Sequence, residues 1–385
     1  MNKLILILIA VMLLFTIARY INLGSDITSF IVAGDRSVDQ EVHPYPLKVA
    51  KNSQGYDGQK FYHLALNPFD TKADEFGIRT NLPYRKQRIL YPLTAHLLAM
   101  TNHTLVPYAM VAVNLLSFFF FLLVANRFIR SLNASVNSLF LFAVLPALYI
   151  ALARDLAEVM ALMFLMLSLL AVHRKNIWLY AVAASCAILT REESILVVFP
   201  ASIYMVLVLF QKEGGLKSKF GYYVLAIVPL IVFVTWKSFI YFNYGSYDNI
   251  LVRFPFSGMI SGIRENFEIN FSSDRRSLVN RLFPFYCLYI LLWYSVTAVY
   301  ASRFIKFAEI SFRSVLSYAW LIWSIFLSFL PNIVYNEELS FARVLSVYGL
   351  LSVILIVIHS KPPKLYYFFS GSMISLVMIR LILFP

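Results

Sequence analysis

Apolar runs of roughly 20 residues, the length a helix needs to cross a hydrocarbon core, recur from one end of the chain to the other. Hydropathy places them at residues 4–23, 106–128, 137–153, 156–172, 177–189, 194–210, 221–242, 282–302, 314–331, 344–359 and 365–384, about eleven spans in all. The pattern predicts an all-α fold, a polytopic transmembrane helical bundle forming one membrane domain over residues 1–385. The run at 4–23 follows Lys3 and continues through Arg19 with no small-residue cleavage site, so it is expected to be a retained span.

Two polar stretches interrupt the rhythm, at residues 24–105 and 243–281. Within the first, residues 58–66 and 85–100 have helical character but are too short to span. They mix aromatic, apolar and charged positions as helices lying along a membrane surface do. Pro44, Pro46, Pro68, Pro83 and Pro92 punctuate this stretch, and Asp57 and Tyr84 stand where the two helices should begin.

Composition sharpens the reading. Hydrophobic residues make up 60% of the chain and charged residues 14%, against roughly 25% charged in a soluble globular domain. The net charge of +13 is unevenly placed. With the N-terminus in the cytoplasm, Lys3, Arg127, Arg130, Arg174, Lys175, Lys212, Lys217, Lys219, Arg303, Lys306, Arg313, Lys361 and Lys364 fall on that side against only Glu213 and Glu309, leaving the other side near neutral. This asymmetry explains the basic balance without nucleic acid. It places 24–105 and 243–281 at the non-cytoplasmic face, which is the periplasm or exterior if the membrane is a bacterial inner (plasma) membrane. Cys186 and Cys287 fall in apolar runs and read as buried small hydrophobes. His43, His63, His96, His103, His173 and His359 show no metal-ligand spacing, and there is no glycine-rich phosphate loop or G-x-S-x-G elbow.

Chemistry therefore concentrates in 24–105 and at the adjoining helix ends. Gly55-Tyr56-Asp57-Gly58-Gln59, with Tyr62 and His63 one turn on, sets an acidic residue between two glycines that a ligand could approach closely. The alternative role for Asp57 is an ordinary helix N-cap. Arg85 and Arg88, three apart after Tyr84, project from one face of a helix and suit a phosphate-binding fork, unless they snorkel toward lipid headgroups. Both are interfacial on this reading, so an Arg88→Ala protein is expected to fold. Arg154, Asp155 and Glu158, then Arg191, Glu192 and Glu193, then Glu337, Glu338 and Arg343 put charge at helix ends where membrane proteins usually avoid it. Either they serve a ligand or they form local ion pairs, Arg154 with Glu158 at four-residue spacing being the obvious one.

The run Gly55-Tyr56-Asp57-Gly58-Gln59, then Tyr62, Asn67-Pro68-Phe69, Tyr84-Arg85 and Gln87-Arg88-Ile89-Leu90-Tyr91-Pro92 resembles a motif set of bacterial membrane glycosyltransferases of the GT-C superfamily. That resemblance implies transfer of a sugar from a polyprenyl-phosphate donor to a glycan, lipid or protein acceptor, with Asp57 as base and membrane lipids as surroundings. Tyr56, Gln59, Tyr62, Tyr84, Arg85, Arg88, Arg154, Glu158, Arg191, Glu192 and Arg343 are the expected substrate-binding residues. Many members carry adjacent acids at the base position, whereas here Asp57 stands alone, with Asp26, Asp35 and Asp39 as unpaired alternatives. A lone carboxylate argues against a metal, and no cofactor is expected beyond the lipid-linked sugar itself. A flippase or other transporter, a membrane acyltransferase and a glycan polymerase are the rival readings.

Overall fold

The computed structural model describes residues 3–211, 216–245, 254–271, 278–307, 309–336, 338–359 and 361–383. Lys212, Glu213, Glu337 and the parts of the 243–281 connection at 246–253 and 272–277 lie outside the described residues. In chain order the main helices are α1 (Lys3–Asn22), α2 (Gly58–Leu66), α3 (Leu82–Arg85), α4 (Leu90–Leu98), α5 (Val106–Ser131), α6 (Leu139–Ala143), α7 (Pro146–Arg154), α8 (Glu158–His173) and α9 (Ile177–Thr190). They continue with α10 (Ile195–Gln211), α11 (Leu216–Tyr244), α12 (Ser257–Phe271), α13 (Leu278–Ser302), α14 (Phe312–Ser328), α15 (Asn332–Tyr335), α16 (Glu338–Val344), α17 (Ser346–His359) and α18 (Lys364–Leu383). Among the described residues, strands are confined to β1 (Ala33–Gly34) and β2 (Val49–Ala50), paired in parallel.

Six of the described helices are long and apolar enough to cross a membrane, or seven if the broken pair Val136–Ala143 and Pro146–Arg154 counts as one span. The other expected spans are apolar helices of 14 to 17 residues: α8, α9, α14 and α17. At 1.5 Å per residue the shortest are about 21 Å long, below the ~30 Å of a hydrocarbon core. The expected count of eleven full spans is therefore not confirmed.

The chain clusters into two compact units, one of residues 1–128, 148–247 and 378–385, the other of 129–147 and 248–377. In the first unit, α1 ends in a Schellman turn: Gly24, at φ +83°, donates to the Ile21 carbonyl and Ser25 to that of Tyr20. Arg19, buried inside this apolar helix, donates through Nε to the Ala153 carbonyl at 2.9 Å and through Nη1 to that of Leu381, so free helix-end carbonyls accept it. α2 occupies the span expected from the sequence, but it is covered on almost every side, with Lys60 alone escaping burial. It packs as an internal helix, which differs from the one-faced surface helix expected.

The expected helix at 85–100 is instead two helices joined by a 3-10 turn over Lys86–Arg88. Pro92 explains the break: it has no N–H to donate to the Arg88 carbonyl, so the helix restarts at Leu90 with the proline in its first turn. His63, which the sequence offers no obvious use for, is fully buried. Its Nε2 meets Asp70 Oδ2 at 2.7 Å and its Nδ1 meets Thr80 Oγ1 and the Ile78 carbonyl at 2.8 Å, tying α2 to the loop that follows it.

The second unit is held by polar side chains between apolar helices. Trp293 donates to Ser370 Oγ at 2.9 Å, Thr297 pairs with the Tyr366 hydroxyl at 2.8 Å, and Trp320 donates to Ser352 Oγ at 2.9 Å. Gly258 and Gly262, four apart on α12, let its backbone close on the start of α15. A Cβ on Gly258 would lie 1.9 Å from the Leu330 carbonyl oxygen, and one on Gly262 2.6 Å from that of Asn332. Gly258→Ala should therefore destabilise this unit by about 1–3 kcal/mol through overpacking, whereas Ile260→Ala on the exposed face of α12 should be near neutral. Thermal unfolding in detergent separates the two variants, and equal midpoints would contradict the close approach.

Candidate functional site

Asp57 stands at the N-terminal end of α2, yet its side chain makes no capping hydrogen bond. Its Oδ1 instead accepts from Arg85 Nη2 at 2.5 Å, in a pair that keeps partial exposure. The neighbouring glycines serve the backbone rather than a ligand. A Cβ on Gly58 would lie 2.4 Å from the Arg154 carbonyl oxygen and 2.6 Å from that of Ile31, and one on Gly55, at φ +67°, 2.6 Å from the Gln59 amide. Gln59 is likewise committed, accepting from Gly34 N at 3.1 Å and donating to the Gln54 carbonyl at 2.8 Å. Tyr62 is fully buried beside His43, while Tyr56 lies under the Arg154 guanidinium at 5.1 Å from its ring centre.

Arg85 leads into a cavity of about 740 Å³, lined also by Lys60, Asp74, Arg79, Asn81 and Tyr84. Three cations thus face one space against the single carboxylate of Asp74 in its wall. Burial, and after it the charge of Arg85, brings the Lys60 ammonium down to about 8, with Asp57 opposing and Arg79 adding to the shift. Such crowding favours an anionic occupant. Lys60 and Arg79 were absent from the expected set; the only sequence signal for Lys60 is its place one turn after Asp57, and Arg79 carries none.

Arg88 does not share a ligand-facing side with Arg85. The 3-10 turn between them directs Arg88 inward, where Nε and Nη2 hold Glu192 at 2.9 Å each and Nη2 also reaches Glu193 at 3.1 Å and the Tyr84 hydroxyl at 3.2 Å. Arg191 continues the chain, binding Glu193 at 2.9 Å and Glu158 at 2.6 Å. Two arginines and three glutamates thus alternate in one network joining the 82–88 segment to α8, α9 and α10. Burial alone would favour the neutral guanidine of Arg88, but Glu192, Tyr84 and Glu193 outweigh it, and Arg88 titrates well above its ordinary range. Tyr84 sits at the junction of the two groups, its ring 4.8 Å from the Arg85 guanidinium carbon and 5.1 Å from that of Arg88.

Glu158, whose spacing from Arg154 suggested a pair along one helix, is bound by Arg191 at 2.6 Å, and the helix on which that spacing rests is interrupted. Asp155 adopts φ 49° and α7 closes there, with Leu156 donating to the Ala151 carbonyl, so the helical register that would bring residues four apart together is lost. Asp155 itself is fully buried. Arg343 lies at the end of α16 in the second unit, buried among its neighbours. Asp26 caps the turn at Ile27–Phe30, Asp35 accepts from the backbone of Asn52 and Ser53, and Asp39 accepts from Glu41 N. Among the described residues no group of three or more His, Cys, Asp and Glu side chains could hold a metal ion.

Scans of the chain against protein-family models, curated proteins and solved structures return no match.

The two charged groups differ in what their loss should cost. Removing Arg88 takes the counter-charge from the half-buried Glu192 and leaves Glu193 to Arg191 alone, so Arg88→Ala should destabilise the first unit by about 3 kcal/mol, contrary to the expectation that it folds normally. Arg85→Ala, at a partly exposed pair, should cost no more than ~1 kcal/mol. Unfolding midpoints of the two variants in detergent check this, and an Arg88→Ala protein as stable as Arg85→Ala would remove Arg88 from the scaffold.

Proposed function

We propose that this protein is a membrane glycosyltransferase of the GT-C type that moves a hexose or pentose from a polyprenyl-phosphate donor to a glycan, lipid or protein acceptor at the non-cytoplasmic face. The observation that carries the reading is that Asp57, at a helix start where a carboxylate would ordinarily cap, spends its side chain on Arg85 beside a cation-lined cavity. An acid placed this way can take a proton from an acceptor hydroxyl. The motif resemblance and the strong charge asymmetry between alternate connections point the same way.

In the proposed reaction Asp57 accepts the acceptor's hydroxyl proton while that oxygen attacks the anomeric carbon. The bond from that carbon to the phosphate oxygen breaks, and the electron pair leaves with the lipid phosphate. Attack from the side opposite the phosphate inverts the configuration. Arg85, Lys60 and Arg79 balance the charge growing on the departing phosphate. This moves the phosphate-binding role from Arg88, whose Nε and Nη2 are taken by glutamates, to Arg85 and the cavity beside it. The Tyr84 ring, in the same wall, offers a face for a sugar or isoprenoid unit.

Asp57→Asn should leave the protein folded and able to bind donor but lower sugar transfer from a polyprenyl-phosphate hexose by at least about 10²–10⁴-fold, since Asn keeps the shape and loses the proton acceptor. Transfer at the wild-type rate would sink the assignment, and movement of the lipid-linked sugar across a liposome membrane without transfer would favour a flippase. A pH series gives an independent check. Lys60, with its pKa near 8, is charged below that value and neutral above it, so donor affinity should fall as pH rises through about 8. Lys60→Arg should flatten the dependence, and an unchanged slope in that variant would exclude Lys60 from the phosphate site.

A further inference from the structure

A groove runs between α13 and α18 within the second unit, with a volume of about 900 Å³. Leu292, Val296, Val299, Leu365 and Phe368 form its walls, and Val299, Leu365 and Phe368 are 64%, 75% and 74% exposed. One end is closed by the Tyr289 hydroxyl and Ser372 Oγ, 2.7 Å apart, and the other opens at Arg303. From Tyr289 to Arg303 the helix rises about 21 Å at 1.5 Å per residue. That exceeds the ~15 Å of one hydrocarbon leaflet but falls short of the ~30 Å that a spanning partner helix would need. The excess over one leaflet leaves room at the Arg303 end for the headgroup of a lipid whose chain lies in that leaflet.

The open end is strongly basic. Arg303 forms no ion pair among the described residues, its guanidinium resting 5.9 Å from the centre of the Tyr300 ring. Lys306, Lys361 and Lys364, all exposed, belong to the connections that leave α13 and enter α18, and Glu309 is the single acid within 303–313 and 361–364. A zwitterionic headgroup would leave this cluster of positive charge largely unanswered, whereas an anionic phosphate headgroup would neutralise it.

We propose that the groove is a binding site for an anionic phospholipid, with an acyl chain along α13 and α18 and the headgroup phosphate on Arg303, assisted by Lys364 at the start of α18. The site is independent of the transferase reading, since all of its residues lie in the second unit and none belongs to the Asp57 group. Its role is to bind lipid of the basic-side leaflet and stabilise the packing of α13 against α18.

Native mass spectrometry of the full chain, released from detergent after incubation with equal amounts of phosphatidylglycerol and phosphatidylcholine, tests it. The wild type should retain phosphatidylglycerol several-fold over phosphatidylcholine. Arg303→Gln should weaken phosphatidylglycerol retention about fivefold, the effect of one interfacial charge, and leave phosphatidylcholine unchanged. Val299→Trp, which fills the groove, should reduce retention of both. Equal retention of the two lipids by the wild type would overturn the headgroup site, and full retention by Val299→Trp would overturn the groove. The wild-type comparison decides the headgroup claim even if a variant fails to fold.

Discussion

Two arginines and three glutamates, alternating in space where the 82–88 segment meets α8, α9 and α10, form the contact on which the rest of the first unit depends. Each charge would be costly to bury alone, by several kcal/mol even after relaxation. Together they are acceptable because Arg88 holds Glu192 through two nitrogens, Glu193 is shared by both arginines, and Arg191 closes the chain on Glu158. In this placement of the segment both arginines and all three glutamates are paired.

That placement determines where Arg85 can reach. With Arg88 locked inward, the 3-10 turn at 86–88 leaves Arg85 on the other side, against Asp57. α11 adds a second clamp on the same turn, Trp236 donating to the Lys86 carbonyl at 3.0 Å and Lys237 to Gln87 Oε1. Lys86 itself points to the Pro68 carbonyl and the Tyr244 hydroxyl. The open pair of Asp57 and Arg85 therefore rests on a closed set of contacts, which holds the carboxylate in place without a helix-capping hydrogen bond. Tyr84, touching both arginines, links the rigid group to the open one.

Much of this was legible in the chain before its coordinates. The all-helical architecture and the bounds of α2 follow from hydropathy and from the polar start at Asp57, and the unusual weight of 24–105 follows from its length and charge. What periodicity could not supply was the partner of each charge. Arg85 and Arg88 look equivalent at a spacing of three, and only the turn imposed ahead of Pro92 sends them to opposite tasks. Arg154 and Glu158 are spaced as one helical turn, but Asp155 leaves the helical region between them. The seven-residue separation of His63 and Asp70 crosses from a helix into a loop, which no periodicity reports, and Arg79 reaches the cavity from a segment with no regular structure. The count of eleven spans is left unconfirmed for a related reason: an apolar run of 14 to 17 residues signals burial whether or not it is long enough to cross a bilayer.

The most direct test of the proposed site is a structure of the protein with bound polyprenyl phosphate. The phosphorus should lie in the cavity bounded by Lys60, Arg79 and Arg85, within reach of Asp57, with Arg88 still turned to Glu192. A phosphate seated on Arg88 with its glutamates displaced, or bound away from this cavity, would contradict the division between an open pair for chemistry and a buried network for support.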